Sequence, residues 1–528
     1  MLGHLNRDSL TKDLLASIVV FLVALPLCMG IAIASGASPA MGIISGIIGG
    51  IVVGLIAGCP LQVSGPAAGL AVIVYELIQT HGIAMLGPIV LLAGAIQLVA
   101  GLCRVGQLFR AISPSVIYGM LAGIGVLIFA SQFHVMVDDK PKGSGLLNLL
   151  SIPEAIYKGV LPVDGSVHHL AAFIGLLTIG TLIGWNTYAP GKLKLIPGAV
   201  VAVLLAAVVA AIGNFPIQFV SIPENLWSTI QWSTPEKLAG LWNTEILVAA
   251  FALAFVASAE SLLCATATDQ MHDGPRTNYD REMAAQGVGN LLCGALGALP
   301  MTGVIVRSTA NVASGAKTRL SAVLHGIWLL VFVAAVPFVL KLVPTSSLAA
   351  LLVYTGYKLV NPVNIRRLLK YGHLPVAVYA ATVITIVATN LLTGILVGLG
   401  LSTLKLLYAF SHLGIRVERT GLSRVDFYLH GSATFIRLPK LTDALGSAPA
   451  GADVHIHFQN LNYIDHACLD AISGWEQQRF KQGGKVTVEW DELMNMYRDK
   501  NSLTPIDSRP GDAAGQAVMT GESHVNNS

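Results

Sequence analysis

Charged residues are scarce in this sequence. Asp, Glu, Lys and Arg make up 12% of its 528 residues, whereas soluble globular domains carry about 25%. This scarcity excludes an ordinary soluble enzyme of the same size. The 32 Lys and Arg nearly balance the 29 Asp and Glu, so the chain also lacks the basic excess of a nucleic-acid-binding protein, and we expect no nucleic-acid partner.

Cysteines and cofactor motifs are scarce as well. The six cysteines form no C-x-x-C pair, and five of them lie in apolar runs, where cysteine behaves as a small hydrophobic residue. We therefore predict no disulfide framework, no metal site and no cofactor. The chain also lacks a P-loop, a nucleotide-binding fingerprint and a catalytic triad motif, which argues against an enzyme or an ATP-driven pump.

Apolar runs are abundant. Runs of about 20 residues, the length that spans a bilayer as a helix, recur from Leu14 to Phe410. Arg7 and Lys12 precede the first run, which is long enough to be a permanent span rather than a signal peptide. The sequence predicts a polytopic α-helical membrane protein with full spans near 14–36, 40–58, 84–103, 113–133, 167–185, 196–213, 246–268, 281–298, 320–342, 345–360, 374–392 and 394–410.

Two further apolar segments, 66–80 and 302–313, are short. Each follows an extended stretch marked by Pro and Gly, at Cys59–Pro66 and Gly297–Gly303. Broken helices of this kind are typical of secondary transporters, whose substrate site is formed by half-helix ends, although two short core helices would give the same pattern. They are the third and tenth of fourteen segments, so we predict fourteen transmembrane segments in a 7+7 inverted repeat.

Lys and Arg accumulate in alternate loops, which predicts that both termini are cytoplasmic. After Phe410 the composition becomes polar with alternating apolar positions, which indicates strands near 424–431, 452–461 and 484–490 and helices near 438–446 and 468–480. We predict a cytoplasmic segment (1–13), a transmembrane domain (14–413), a small cytoplasmic α/β domain (414–500) and a disordered tail (501–528). We expect the chain in a bacterial inner membrane.

Five segments together resemble the sulfate permease (SulP) family of anion transporters: Val23–Gly58, Leu61–Ile73, Ala259–Met271, Ala285–Pro300 and Val304–Gly326. The C-terminal domain resembles the sulfate transporter and anti-sigma factor antagonist (STAS) domain. The resemblance implies a core domain and a gate domain, with the anion bound between the third and tenth segments and moved by an elevator-like mechanism. We expect a homodimer in the lipid bilayer.

The candidate substrate site consists of the two half-helix starts. A helix start exposes unpaired N–H groups and a partial positive charge, so two converging starts can hold an oxyanion. The candidate residues are Ala67, Ala68, Gly69, Thr302, Gly303, Val304 and Arg307, with the Ile305 N–H as a further donor. Some relatives carry Thr where this chain has Ala67, so recognition here relies more on the backbone.

Two candidate residues are ionisable groups within apolar segments, which are by default functional. Arg307 would attract the anion; the alternatives are that it snorkels or pairs with Glu260. Glu260 occupies a position that is acidic in the family, where sodium-coupled bicarbonate carriers have an Asp. The matching Thr ligand of those carriers is here Cys264, a poor ligand for a hard cation. We therefore predict a proton rather than sodium as the coupling ion, carried by Glu260.

Several other residues are predicted to have no role in binding. Asp269 and Glu282 flank a cytoplasmic loop and are expected to be solvated. The loop Ile464–Ala471 carries no Ser, so a phosphorylation switch is not expected there, and His455 and His457 lack a third metal ligand.

The sequence therefore predicts a secondary active transporter, a symporter or exchanger of small inorganic anions. Sulfate is the first candidate and bicarbonate the second. The alternatives are a C4-dicarboxylate/proton symporter, or an anion channel or sensor that acts through the STAS-like domain.

Overall fold

The computed structural model describes residues 7–107, 112–142, 144–161, 167–190, 193, 196–221, 230–234, 241, 243–420, 424–449 and 451–490. The chain forms two compact units, Met1–Ser402 and Thr403–Ser528. The predicted tail, 501–528, lies outside the described residues, as do residues 1–6 and 491–500.

The first unit is helical, apart from two very short strands. Its described strands are β1 (Ser64–Gly65) and β2 (Thr302–Gly303). Its described helices are α1 (Arg7–Ala34), α2 (Pro39–Ile48, continued through a π-helical turn at Gly49–Val53 to Ile56), α3 (Ala68–His81), α4 (Ile83–Leu102), α5 (Pro114–Met136), α6 (Gly145–Leu150), α7 (Ile152–Val160), α8 (His168–Tyr188), α9 (Gly198–Ile212), α10 (Thr244–Asp269), α11 (Tyr279–Ala295), α12 (Ile305–Ala313), α13 (Leu320–Ala335), α14 (Pro337–Leu340), α15 (Thr345–Leu359), α16 (Pro362–Leu369), α17 (His373–Ala388) and α18 (Leu391–Phe410), in which the division between the units falls.

Within the described residues, seven helices are long and apolar enough to cross a membrane. These are Ser9–Ala34, Pro39–Ile56, Ile83–Leu102, Pro114–Met136, His168–Tyr188, Thr244–Asp269 and Leu391–Tyr408. Three shorter apolar helices, α9, α13 and α17, correspond to further predicted spans. Fourteen transmembrane segments therefore remain a prediction, whereas the polytopic helical architecture is observed.

The helices of the first unit pack in two groups. The first helix group comprises α1, α2, α3, α4, α10, α11, α12 and α13, which contact one another extensively. The second helix group comprises α5, α8, α9, α15 and α17, to which α18 is added by the contact of Gly398 with Thr382 and Val116. The two strands and both short helices that follow them, α3 and α12, belong with the first helix group.

Glycines at seven-residue spacing bring two helices of the first helix group unusually close. Gly94 on α4 faces the Leu291 backbone of α11, while Gly287 and Gly294 on α11 face the α4 backbone at Leu98 and Leu91. A Cβ atom at any of the three glycines would collide with those backbone atoms. Small residues permit this close backbone approach in membrane helix packing, so α4 and α11 form a rigid pair.

The second unit contains a four-stranded sheet with the order β3-β4-β5-β6. Its strands are β3 (Leu413–Thr420), β4 (Arg424–Ala433), β5 (Asp453–Ile464) and β6 (Val486–Val488). β3 and β4 are antiparallel, whereas β4, β5 and β6 run parallel. The helices α19 (Leu438–Gly446) and α20 (His466–Lys481) complete an α/β unit with buried Phe427, Ile456 and Phe458 in its core.

Candidate functional site

A two-residue strand pair joins the starts of the two half-helices, α3 and α12. β1 and β2 are antiparallel, with Ser64 opposite Gly303 and Gly65 opposite Thr302. α3 begins three residues after β1, and α12 begins two residues after β2. The two extended stretches therefore pair with each other, and this pairing brings the two helix starts side by side.

Neither helix start is capped by its own N-cap side chain. Ala67 (φ −114°, ψ 140°) and Val304 (φ −107°, ψ 112°) hold the N-cap positions in extended conformation, and neither provides a side-chain cap. Pro66 restricts the preceding residue, Gly65, to extended backbone, as its place in β1 requires. Both helix starts consequently present first-turn N–H groups and the positive end of the helix dipole.

The structure shows how the predicted N–H groups of the second helix start are used. The Gly303 N–H donates to Ser261 Oγ at 3.2 Å, and the Val304 N–H donates to Val63 O at 2.9 Å. The following N–H groups belong to Ile305 and Val306, which are 39% and 43% exposed. The exposed part of this helix start therefore begins at Ile305, the third predicted donor, and continues to Val306.

Thr302 and the small residues of the first helix start are packed inside the protein. Thr302 is fully buried, and its hydroxyl donates to Gly303 O at 3.2 Å. Ala67 and Gly69 are buried and Ala68 is half-buried. With no bulky side chain at positions 67–69, other groups can approach the backbone closely.

Glu260 is one residue whose side chain approaches this backbone closely. Its carboxylate, from the middle of α10, lies directly against the Gly69 backbone. A Cβ atom at position 69 would come within 2.5–2.8 Å of the carboxylate atoms, so the contact depends on glycine. The second carboxylate oxygen, Oε2, is buried and has no hydrogen-bond partner among the described residues. Glu260 thus places a carboxylate where an anionic substrate would bind the first half-helix.

Arg307 lies in the first turn of α12 and is completely buried. Its Nη2 donates to Pro66 O at 3.4 Å and lies 3.3 Å from Cys28 Sγ. Its Nε and Nη1 atoms have no hydrogen-bond partner among the described residues. Nη1 lies against Gly65, where a Cβ atom would collide with it.

Arg307 forms no ion pair with a carboxylate in the part of the chain that the structure describes. Among the ion pairs of the described residues, none joins Arg307 to Glu260. A buried charge without a partner costs several kcal/mol. The alternative of a structural Glu260–Arg307 pair is therefore not what the structure contains, and the guanidinium remains an uncompensated positive charge beside two helix starts.

Cys264 is buried one turn after Glu260 on α10. Its Sγ lies 3.5 Å from Ser308 Oγ and 4.0 Å from Thr268 Oγ1. Ser308 in turn accepts the Val63 N–H at 3.0 Å and donates to Val304 O at 2.9 Å. The thiol therefore contacts a hydroxyl that holds the two extended stretches together.

Three polar residues on one face of α11 hold the two extended stretches that contain β1 and β2. The sequence did not lead us to predict this role. Glu282, Gln286 and Asn290 are spaced four residues apart and are 0–1% exposed. Gln286 Nε2 donates to Ser64 Oγ at 2.7 Å, and Asn290 bonds both the N–H and the carbonyl of Met301 at 2.7 and 3.0 Å. The i, i+4, i+8 spacing of polar residues in a predicted span is the signal that could have identified them.

The prediction that Glu282 and Asp269 are solvated was wrong. Glu282 is completely buried and accepts hydrogen bonds from the Cys59 N–H (2.9 Å), Gln62 Nε2 (2.8 Å) and Gln286 Nε2 (2.9 Å). Asp269 is 8% exposed and accepts the Thr277 N–H and hydroxyl at 3.1 and 2.8 Å. The loop folds onto Asp269 because this carboxylate satisfies the Thr277 backbone donor, whereas Glu282 is buried by the distant segment before α3, whose Cys59 N–H it accepts.

The family model of the sulfate permease family matches residues 10–382. The chain belongs to the sulfate permease family. The resemblance seen in the sequence is thereby confirmed, and the protein is an integral membrane protein of an anion transporter family rather than an enzyme.

Named relatives include transporters of two different anions. The chain is 28% identical over 401 residues to YvdB of Bacillus subtilis, a candidate sulfate transporter, covering 75% of this chain and 73% of YvdB. It is 22% identical over 432 residues to the bicarbonate transporter BicA of Picosynechococcus sp., covering 78% of this chain and 72% of BicA.

Solved structures support the fold. The transmembrane domain of a cyanobacterial BicA matches with a TM-score of 0.60 and 22% identity, covering 75% of this chain and 98% of that chain. Murine Slc26a9, an anion transporter in the inward-facing state, matches with a TM-score of 0.74 and 16% identity, covering 92% of this chain and 86% of that chain.

Proposed function

We propose that this chain is a secondary active transporter of a small inorganic anion, with sulfate the first candidate and bicarbonate the second. The observation that carries the proposal is the buried Arg307 guanidinium with two unpartnered nitrogens. It lies beside two helix starts whose N-cap residues provide no side-chain cap, and no carboxylate among the described residues forms an ion pair with it, so the potential around the guanidinium is positive. An oxyanion at the helix starts would provide the missing negative charge, in the manner of helix N-terminal anion sites.

Glu260 supports proton coupling rather than sodium coupling. Its carboxylate lies against the Gly69 backbone at the first helix start, so a charged Glu260 would repel an anionic substrate there. A proton on Glu260 removes this negative charge. Anion and proton would therefore bind together, which is the requirement for symport. The nearby Cys264 Sγ contacts Ser308 and gives a hard cation no oxygen ligand.

The packing of the first unit supports an elevator-like mechanism. Both half-helix starts belong to the first helix group and are tied to it through Ser261, Gln286 and Asn290. The site would therefore move as part of that group against the second helix group. We further propose fourteen transmembrane segments, a homodimer, both termini in the cytoplasm of a bacterium, an inner-membrane location and a STAS-like identity for the second unit.

Flux measurements test the function directly. Purified protein in liposomes should take up labelled sulfate or bicarbonate, and an inward proton gradient should drive accumulation above the external concentration. Labelled fumarate tests the C4-dicarboxylate alternative in the same vesicles. Uptake that follows only the membrane potential and never exceeds electrochemical equilibrium would indicate a channel, and absence of specific flux for all three anions would contradict transport.

A further inference from the structure

One cavity in the first unit lies away from the half-helix starts. It has a volume of about 340 Å³ and is lined by Ile96, Gln97, Ala100, Val105, Ile112, Phe251, Ala254, Phe255, Ser258 and Leu399. Its wall combines α4 and α10 of the first helix group with Leu399 of α18, which belongs to the second helix group, and with Ile112 just before α5. The cavity therefore lies where the two helix groups meet.

The lining is apolar, and its polar groups are already paired. Gln97 Nε2 donates to Ser258 Oγ at 3.1 Å, while Gln97 Oε1 accepts from Asn290 Nδ2 at 2.7 Å. An occupant therefore needs to provide no hydrogen bond to the wall, and a hydrocarbon chain satisfies this condition better than water or an ion.

Exposed apolar side chains flank the opening of the cavity. Phe251, which lines it, is 59% exposed, and the neighbouring Val99 and Leu102 of α4 are 59% and 72% exposed. In a membrane protein, exposed apolar side chains on a spanning helix contact lipid tails. Lipid is thus the apolar molecule available at this opening.

A positive charge lies at the same end of α4. Arg104 is exposed and immediately precedes Val105, which lines the cavity. It follows the end of the helix in a left-handed conformation (φ 60°), and its N–H donates to Gly101 O at 3.1 Å. A phosphate group beside Arg104 would place its acyl chain next to the cavity.

We propose that this cavity binds an anionic phospholipid, with one acyl chain between the two helix groups and the phosphate at Arg104. The bound chain bridges residues of both groups, so it controls how readily one group slides past the other. The effect on rate rests on the proposed transport function, whereas the binding site itself does not.

Photolabelling of the full-length protein in liposomes tests the binding site. The probe is a phosphatidylglycerol with a diazirine in its acyl chain, and adducts are located by peptide mass spectrometry. We expect adducts concentrated at 96–105, 251–258 and Leu399, with phosphatidylcholine of the same acyl structure labelling these peptides at least threefold less. Equal labelling by the two lipids, or adducts spread evenly over exposed apolar helices, would overturn the proposal.

Matched variants separate the contributions of charge and cavity. Arg104→Asn removes the charge but tolerates the left-handed backbone, and Ala100→Phe fills the cavity. Each should reduce the adducts at least fivefold. The control variants Arg366→Gln and Ala334→Phe, at exposed positions elsewhere, should leave labelling intact. Unchanged labelling in both Arg104→Asn and Ala100→Phe would also overturn the proposal.

The rate of anion exchange is measured on the same variants. Ala100→Phe should slow anion exchange at least threefold without changing anion affinity, whereas Ala334→Phe should not. An unchanged exchange rate in Ala100→Phe would overturn the proposal that the bound lipid chain controls how the two helix groups slide past each other. If no variant or wild-type protein shows flux while the adduct pattern holds, the proposed transport function fails and the lipid site stands.

Discussion

The Glu260 carboxylate of α10 lies against the Gly69 backbone, in the first turn of the half-helix α3, whose N-cap residue Ala67 provides no side-chain cap. An internal carboxylate thus lies at one of the two helix starts of the candidate anion site. A negatively charged Glu260 would compete with an external anion for this helix start, and the first prediction tests that competition.

Glu260→Gln should abolish proton-driven accumulation while anion exchange continues. The amide keeps a polar group against the Gly69 backbone, but it carries no charge and binds no proton. Wild-type anion affinity should weaken as pH rises, because the deprotonated carboxylate competes with the substrate, and the variant should lose this dependence. Flux under a pH gradient and binding at several pH values provide the measurement, with Glu76→Gln, an exposed acid on α3, as the control. Accumulation that follows a sodium gradient and ignores pH would contradict this role.

Arg307→Gln should lower anion affinity at least tenfold, which corresponds to about 1.4 kcal/mol. The substitution removes the uncompensated positive charge but keeps a polar, although shorter, side chain. Calorimetric titration of the detergent-solubilised protein with sulfate and with bicarbonate measures the change. Arg366→Gln, which removes an exposed arginine from α16, should bind as the wild type does. Wild-type affinity in Arg307→Gln would show that the guanidinium has no part in attracting the anion.

Glu282→Gln should destabilise the segment before α3. The buried carboxylate accepts three hydrogen bonds, and an amide would direct N–H groups at donors, costing about 1–3 kcal/mol. Cys59, whose N–H is one of the donors, is 1% exposed and should react faster with thiol reagents in the variant. Glu245→Gln, at an exposed acid, serves as the control. Equal Cys59 reactivity in the two variants would mean that Glu282 does not hold this segment.

Gly94→Ala should destabilise the first helix group by about 1–3 kcal/mol, the usual cost of overpacking. The added methyl group would collide with the Leu291 backbone of α11. Gly180→Ala is the matched control, because nothing lies within 4 Å of a Cβ atom at that position and alanine favours a helix interior over glycine. Thermal unfolding in detergent should show a lower midpoint for the first variant only. A midpoint equal to that of the wild type would mean that α4 and α11 can separate at little cost.

Asp426→Asn should reduce the stability of the second unit at neutral pH but not in acid. The Arg424 guanidinium, with Nη2 at 2.9 Å, holds the pKa of Asp426 below its ordinary 3.8 despite burial, and His457 Nε2 also contacts it at 3.2 Å. The stabilisation is therefore complete above the ordinary pKa and is lost as pH falls through the lowered value.

Labelling of the buried Cys468 in urea, with a pyridyl disulfide that reacts at acidic pH, follows unfolding of this unit. The wild type and Asp426→Asn should differ at pH 7 and converge as the pH falls through the lowered pKa of Asp426. Asp443→Asn, at an exposed position on α19, should match the wild type throughout. A difference between wild type and Asp426→Asn that is independent of pH would exclude the ion pair as its source.

Local pattern predicted the helices well. The predicted segments 66–80 and 438–446 correspond to Ala68–His81 and Leu438–Gly446, because apolar runs, Pro and Gly determine helix limits locally. The pairing of Ser64 with Gly303 could not be read from the chain, since it depends on packing between segments more than 200 residues apart. The burial of Glu282 was missed for the same reason: its partners, Cys59 and Gln62, come from a different part of the sequence.

The short β1–β2 pair has a consequence for the energetics of transport. This strand pair joins the two half-helix starts to each other. The distance between the two starts is therefore expected to stay the same throughout the transport cycle. An anion held there would meet the same ligands from either face of the membrane. Its intrinsic affinity would then be equal inward and outward, and the direction of net flow would be decided by the gradients alone.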